Sequence, residues 1–298
     1  MWPSTTQPWN DVLELAQFAD DGFWHSVYVA DHFMSPGDKP GQTSDWLEAT
    51  AVMAALATVT SKVRLANLVL SMTFRHPAVL ANLAVTIDRI SNGRFTLGLG
   101  AGWQETEHEQ YGLELGEPKE RVDRFAEGLA VISRLLTDET TTFDGTYYHL
   151  ADALCEPKPV QSPLPLLVGG TGPRMLRLIA RHAQEWNQWA APGEFGKNSA
   201  ALDAACEKEG RDPATVWRST QAVVMVTDSA EAEAKAKTAA ESMPQPVVYG
   251  PAERIAEAAA TWRDEGVDEV IVPDFGMPRG PERLDAYRAL KESFAPLA

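Results

Sequence analysis

Short apolar runs alternate with longer helix-period segments along nearly the whole chain, and this order limits the fold more than any other feature. Asn10 to Ala19 puts Val12, Leu15, Ala16 and Ala19 on one helical face, and Gly22 ends it. Ser26 to Ala30 reads as a strand, and Ser44/Asp45 as the cap of a helix running to Ala57. Val63 to Leu70 is a β-branched and leucine-rich strand. Pro77 opens a helix to Ile90 at the position where a missing N–H costs nothing. Further strands are predicted at Arg94–Leu99, Leu164–Val168, Glu185–Ala190, Ser219–Val226 and Asp268–Val272. Helices are predicted at Arg121–Leu136, from the turn after Val168 to His182, and at Gly196–Lys208, Pro251–Glu265 and Pro281–Phe294. Thr140 to Leu150, turning at Asp144-Gly145, reads as a β-hairpin. The alanine-rich stretch from Ala230 to Ala240 reads as a solvated helix.

A β-α repeat of this kind makes a parallel sheet, and strands apolar on both faces are buried on both sides. At 298 residues the chain fits either two domains or one barrel. The strands follow one another without a linker between halves. The fold class is therefore α/β: a single (β/α)8 TIM-barrel domain over 1–298, with insertions near 103–120 and 137–163. One strand is short of eight. Only nine residues precede the first helix, and Pro3 and Pro8 oppose a central strand. Two expectations follow: a fuller first strand lies upstream of Met1, or Met1 to Ser4 forms a stub of it.

Charge and cysteine content narrow the function. With 26 Lys+Arg against 42 Asp+Glu the net charge is −16, which argues against nucleic acid and anionic membranes as partners. No apolar run reaches the ~18 residues of a membrane span, and Met1 to Asn10 has no signal-peptide pattern. Cys155 and Cys206 cannot build a disulfide framework. A cytoplasmic protein acting on a small molecule is expected.

Barrel active sites lie at the carboxyl ends of the strands. Asp31-His32-Phe33 follows one strand, and His32 there is either a proton partner for a substrate or a rim histidine held by backbone bonds. The run Ser71-Met-Thr-Phe-Arg75-His76 follows the next, where Arg75-His76 serves either an anion or the helix at Pro77. Gly98-Leu-Gly100-Ala101-Gly102-Trp103 leads on to Glu107 and His108. Its glycines either admit a flat ring or only allow packing. Gly169-Gly170-Thr171-Gly172-Pro-Arg174 is either a plain tight turn or an anion site, with free backbone N–H groups, a helix N-terminus and a fixed positive charge. Trp186, Asn187 and Trp189 end another strand, as core or as pocket wall. No HxH, HExxH or clustered cysteine spacing points to a metal, and no GxSxG elbow points to a serine nucleophile.

These segments together resemble the luciferase-like monooxygenase superfamily, in its F420-dependent oxidoreductase branch. The similarity rests on Val29-Ala-Asp-His-Phe33, Thr73-Phe-Arg-His-Pro-Ala-Val-Leu80, Ser91-Asn-Gly-Arg-Phe-Thr-Leu-Gly-Leu-Gly-Ala-Gly-Trp103 and Gly169-Gly-Thr-Gly172. Glu156-Pro-Lys-Pro-Val-Gln161 and Gly266-Val-Asp-Glu-Val-Ile-Val-Pro273 extend it along nearly the whole chain. The resemblance implies coenzyme F420, or alternatively FMN, in the barrel mouth. A bulge in the third strand at Leu68-Val69-Leu70, with a non-prolyl cis peptide, would support the ring. Gly100, Ala101, Gly102 and Trp103 would border it. Gly169, Gly170, Thr171, Gly172 and Arg174 would hold its phosphate. His32 and Asp31 would be the catalytic pair. Phe33, His76, His108, Trp186 and Asn187 are expected in the substrate pocket, and the loops Ser35–Thr43 and Glu194–Asn198 to set specificity. A sugar-phosphate dehydrogenase of this branch carries Glu where Trp103 stands, so that substrate is not carried over. The implied reaction is hydride transfer between the deazaflavin C5 and a small organic substrate. The alternatives are a two-component FMN monooxygenase fed by a flavin reductase, or a non-catalytic flavin-binding barrel. A homodimer is expected.

Overall fold

The computed structural model describes residues 1–35, 45–280 and 282–295. In chain order its elements begin with α1 (Trp9–Ala19), β1 (Ser26–Val29), α2 (Ala49–Val59), β2 (Arg64–Asn67), β3 (Leu70–Ser71), α3 (Pro77–Ile90) and β4 (Phe95–Gly100). There follow α4 (Glu105–Tyr111), α5 (Pro118–Thr137), β5 (Thr141–Asp144), β6 (His149–Ala153), β7 (Leu166–Gly169), α6 (Pro173–His182), β8 (Glu185–Trp189) and α7 (Phe195–Lys208). The last are β9 (Trp217–Gln221), β10 (Val223–Val226), α8 (Ala230–Ser242), β11 (Val247–Gly250), α9 (Ala252–Asp264), β12 (Glu269–Ile271) and α10 (Glu282–Phe294).

The barrel runs β1-β2-β4-β7-β8-β9-β12, every pair parallel, with β3 continuing the strand of β2 beside β4. Alternation across the pleat builds two cores. Val27, Val29, Leu65, Leu97 and Leu99 face the helices, whereas Tyr28, Ala30, Ala66, Leu167 and Ile271 fill the interior with Trp2. Each such Val, Leu or Ile side chain contributes about 1.5–3 kcal/mol by leaving water.

Met1 and Trp2 occupy the missing strand position. The Tyr28 N–H donates to the Met1 carbonyl at 2.9 Å, Trp2 N–H to the Val272 carbonyl at 3.1 Å, and Asp274 N–H to the Trp2 carbonyl at 3.2 Å. A two-residue stub therefore joins β1 to β12, and Pro3 falls just beyond it.

Three local expectations need correction. The helix expected from Ser44/Asp45 starts at Ala49, capped by the Glu48 carboxylate, which accepts from Ala51 N–H at 2.7 Å; Ser44 lies outside the described residues. The single strand Val63–Leu70 is broken at Leu68-Val69, whose peptide is cis, as the resemblance implied. Gly98 and Gly100 make room for this break: a Cβ on Gly98 would lie 1.8 Å from the Asn67 carbonyl oxygen, and one on Gly100 2.7 Å from Val69 Cγ2. Finally, Ser219–Val226 is two strands. β12 is only three residues long, so β9 loses its partner after Gln221, and the chain pairs β10 with the unforeseen β11 outside the barrel.

Candidate active site

All eight strand ends open into one cavity of about 880 Å³, a size that suits a small ligand or a tricyclic cofactor. His32 stands at one side of it. Its Nδ1 lies 2.8 Å from Glu107 Oε1, and Phe33 N–H donates to Glu107 Oε2 at 2.9 Å. Glu107 is buried and its carboxylate only accepts, so His32 donates from Nδ1. Among the described residues nothing bonds Nε2. The Trp46 and Trp103 indoles meet the imidazole edge to face, at 5.4 and 5.6 Å between centroids.

Asp31 lines the cavity with its carboxylate engaged. Its carboxylate accepts from both Arg75 Nη atoms, at 2.7 and 3.0 Å, and from Ser71 N–H at 2.9 Å. Burial holds the carboxyl above its ordinary value, a rise that Arg75 offsets only in part. Asp31, expected in the catalytic pair, is engaged by these bonds and ties the start of the 71–76 loop to β1. Arg75 is itself shared with Glu48 at 2.5 Å, so it offers little net charge to an anion.

Leu68, Val69, Gly100, Ala101, Gly102, Trp103, Gly169 and Gly170 all reach the cavity wall, with His108 and Asn187. Gly170 has φ +125°, which L side chains rarely adopt, and its carbonyl accepts from Trp186 Nε1 at 2.8 Å. Trp186 is fully buried, so it braces the glycine turn rather than lining the pocket. Thr171 lies off the wall, and Gly172 is the N-cap of α6, with no side chain capping the helix. Arg174 turns away to Asp123 and to the Lys119 carbonyl. His76 is spent on α3, where Nδ1 accepts from Ala78 N–H at 3.2 Å, and Phe33 stacks between Phe74 and Tyr111 instead of on the wall. The loop 36–43 lies outside the described residues.

Three residues that sequence reasoning did not assign to the pocket also line the wall: Ser71, in a segment it placed at a strand end, with Gln221 and Asp274. The Asp274 carboxyl is pushed up by burial and accepts from Ser4 N–H at 3.0 Å and from the Gln7 amide. Each stands at a strand end, which was the only available signal. No group of three His, Cys, Asp or Glu placed to hold a metal occurs among the described residues.

The sequence profile of the luciferase-like monooxygenases matches residues 1–270, and the chain belongs to that family. An F420-dependent glucose-6-phosphate dehydrogenase of Amycolatopsis mediterranei is 37% identical over 172 residues, 57% of this chain and 50% of that protein. The pyrimidine monooxygenase RutA of Cronobacter sakazakii is 35% identical over 182 residues, 58% and 53% of the two chains. The chain thus matches about half the length of these curated relatives. The structure of an F420-dependent secondary alcohol dehydrogenase with an F420-acetone adduct superposes at TM-score 0.82 and 20% identity, covering 100% of this chain and 99% of that one. That likeness is one of fold.

Proposed function

We propose that this chain is an oxidoreductase using F420 to move a hydride to or from a small organic substrate. The observation carrying this reading is that the His32–Glu107 pair and the glycine turn face one cavity. The fit to such a cofactor is local. Gly169 and Gly170 present backbone without side chains, and the uncapped first turn of α6 has N–H groups to spare for a phosphate. When bound, a deazaflavin supplies a carbon that exchanges hydride.

The chain's own residues do the rest. Leu68 and Val69 form one wall, with Gly100 to Trp103 beside them. Glu107 fixes the His32 tautomer, so that the neutral ring offers Nε2 to a substrate proton and returns it in the reverse direction. Trp46 and Trp103 hold the ring edge-on and shield it from water. This fixed pair also argues against a barrel that only binds flavin.

The match to pyrimidine monooxygenases supports a second reading, an FMN enzyme supplied by a separate reductase. Fluorescence titration decides between them: F420 is expected to bind at micromolar concentration, and absence of quenching would sink the first reading. Oxygen uptake with reduced FMN, without F420 binding, would establish the second.

A further inference from the structure

A second histidine at the same cavity has both ring nitrogens committed. His108, on α4, is 2% exposed. Its Nδ1 lies 2.6 Å from the Gln104 carbonyl oxygen, which can only accept, so Nδ1 carries the hydrogen. In the neutral ring Nε2 is then a lone pair, and Thr73 Oγ1, 2.7 Å away, must donate to it. Thr73 has one hydroxyl hydrogen. Having given it to His108, its oxygen accepts from Ser71 Oγ at 2.6 Å. One backbone carbonyl thereby sets the direction of three groups in series. It leaves Ser71, on the cavity wall, facing a ligand with lone pairs alone.

Two further features keep the chain in place. Asp31 holds Ser71 by its backbone N–H at 2.9 Å. Gly102, at φ +87°, passes so close that a Cβ would lie 2.7 Å from Thr73 Oγ1 and 3.0 Å from Ser71 Oγ. Glu107 and His108 are neighbours on one helical turn, yet they serve separate networks, the first bonded to His32 and the second to this chain.

We propose that Ser71, Thr73 and His108 form a proton relay taking a proton from a hydroxyl or N–H group of a ligand bound against Ser71. The ligand's proton passes to Ser71 Oγ, the Ser71 proton to Thr73 Oγ1, and the Thr73 proton to His108 Nε2. Three bonds to hydrogen form and three break. The ligand is left as its conjugate base, His108 becomes imidazolium, and no electrons change hands. Run backward, the relay returns the proton. Ser71 is the group that touches the ligand; Thr73 and His108 are positioning residues acting through it. The relay's purpose rests on the reading of the cavity as a redox site, where it serves a hydroxyl or N–H group of the ligand other than the one facing His32. Its geometry does not depend on that reading.

The test uses the cofactor-free protein labelled with 15N-histidine, with His108→Gln to assign the resonance. The spectra are expected to show His108 protonated at Nδ1 and accepting at Nε2. The rate at which the ring gains and loses its second proton is read from exchange broadening during a pH titration. Thr73→Val, which keeps shape but removes the hydroxyl, is expected to slow that exchange by at least about tenfold, and Ser71→Ala likewise. Thr73→Ser is expected to restore it, which a purely structural role for Thr73 would not require. An Nε2–H tautomer, or unchanged exchange in Thr73→Val, overturns the relay. Failure of F420 and FMN to bind would instead remove the functional reading and leave these spectra as they are.

Discussion

At the residue scale, His32 works only as one half of a pair whose other half lies 75 positions along the chain. His32→Ala is expected to lower turnover by about 10²- to 10⁴-fold while cofactor affinity stays near wild type. Stopped-flow absorbance of the bound deazaflavin with fluorescence titration separates the two effects. Equal turnover would take His32 out of the mechanism. Asp31 calls for a different measurement. Removing it by Asp31→Ala leaves Arg75 in a largely buried site with only Glu48, and a loss of about 3 kcal/mol is expected from the urea midpoint. A variant as stable as wild type would mean the ion pair contributes nothing. The sequence placed His32 and Asp31 together at a strand end, and adjacency suggested one shared role. Their side chains find separate partners, Glu107 for His32 and Arg75 for Asp31, and no local spacing reports partners so distant.

The decisive element is the turn from β7 into α6. Gly170 at φ +125° tolerates no side chain without strain, and a Cβ there would also press on Met175 at 3.4 Å. Gly170→Ala is therefore expected to cost about 1–3 kcal/mol of stability and to weaken cofactor binding. Arg174→Ala is expected to leave cofactor affinity within about twofold of wild type, because the guanidinium is paired outside the cavity and exposed pairs contribute little. A large loss of affinity in that variant would show that Arg174 swings inward. The glycines were legible as a turn because their backbone use is local. The direction taken by Arg174 was not, since it depends on Asp123 in α5. The same contrast holds across the elements. β4 and β7 declared themselves as apolar runs, whereas β10 and β11 are separated by a helix and recognise each other only in space.

At the scale of the whole molecule, two electrostatic effects can be separated. The net charge of −16 repels an anionic cofactor; Arg75 and Arg174 are spent on carboxylates, and of the two arginines on the cavity wall Arg283 pairs with Glu14 and Arg279 acts on Asp274. Affinity for F420 is therefore expected to rise between about 10 mM and 150 mM salt, as the Debye length falls from about 30 to 8 Å. Weaker binding at the higher salt would reveal a locally positive subsite. The second effect belongs to the barrel interior at the amino ends of the strands. There burial raises the Glu185 carboxyl from 4.5 to about 7, against the pull of Arg64 and a hydrogen bond from Thr96 Oγ1 at 2.9 Å. Glu269, held by the Tyr28 hydroxyl at 2.8 Å, adds to the rise. Between those two values the folded chain keeps a proton that the unfolded chain has lost. Stability from this group is fully present below pH 4.5 and is lost as pH rises through about 7, by about 3 kcal/mol. Urea unfolding of wild type and Glu185→Gln at about pH 5 and about pH 8 isolates it. Wild type is expected to lose more stability than the variant across that interval, because the amide cannot ionise yet still accepts from Thr96. Parallel losses in the two proteins would assign the pH dependence to general repulsion of the −16 charge rather than to the buried carboxyl.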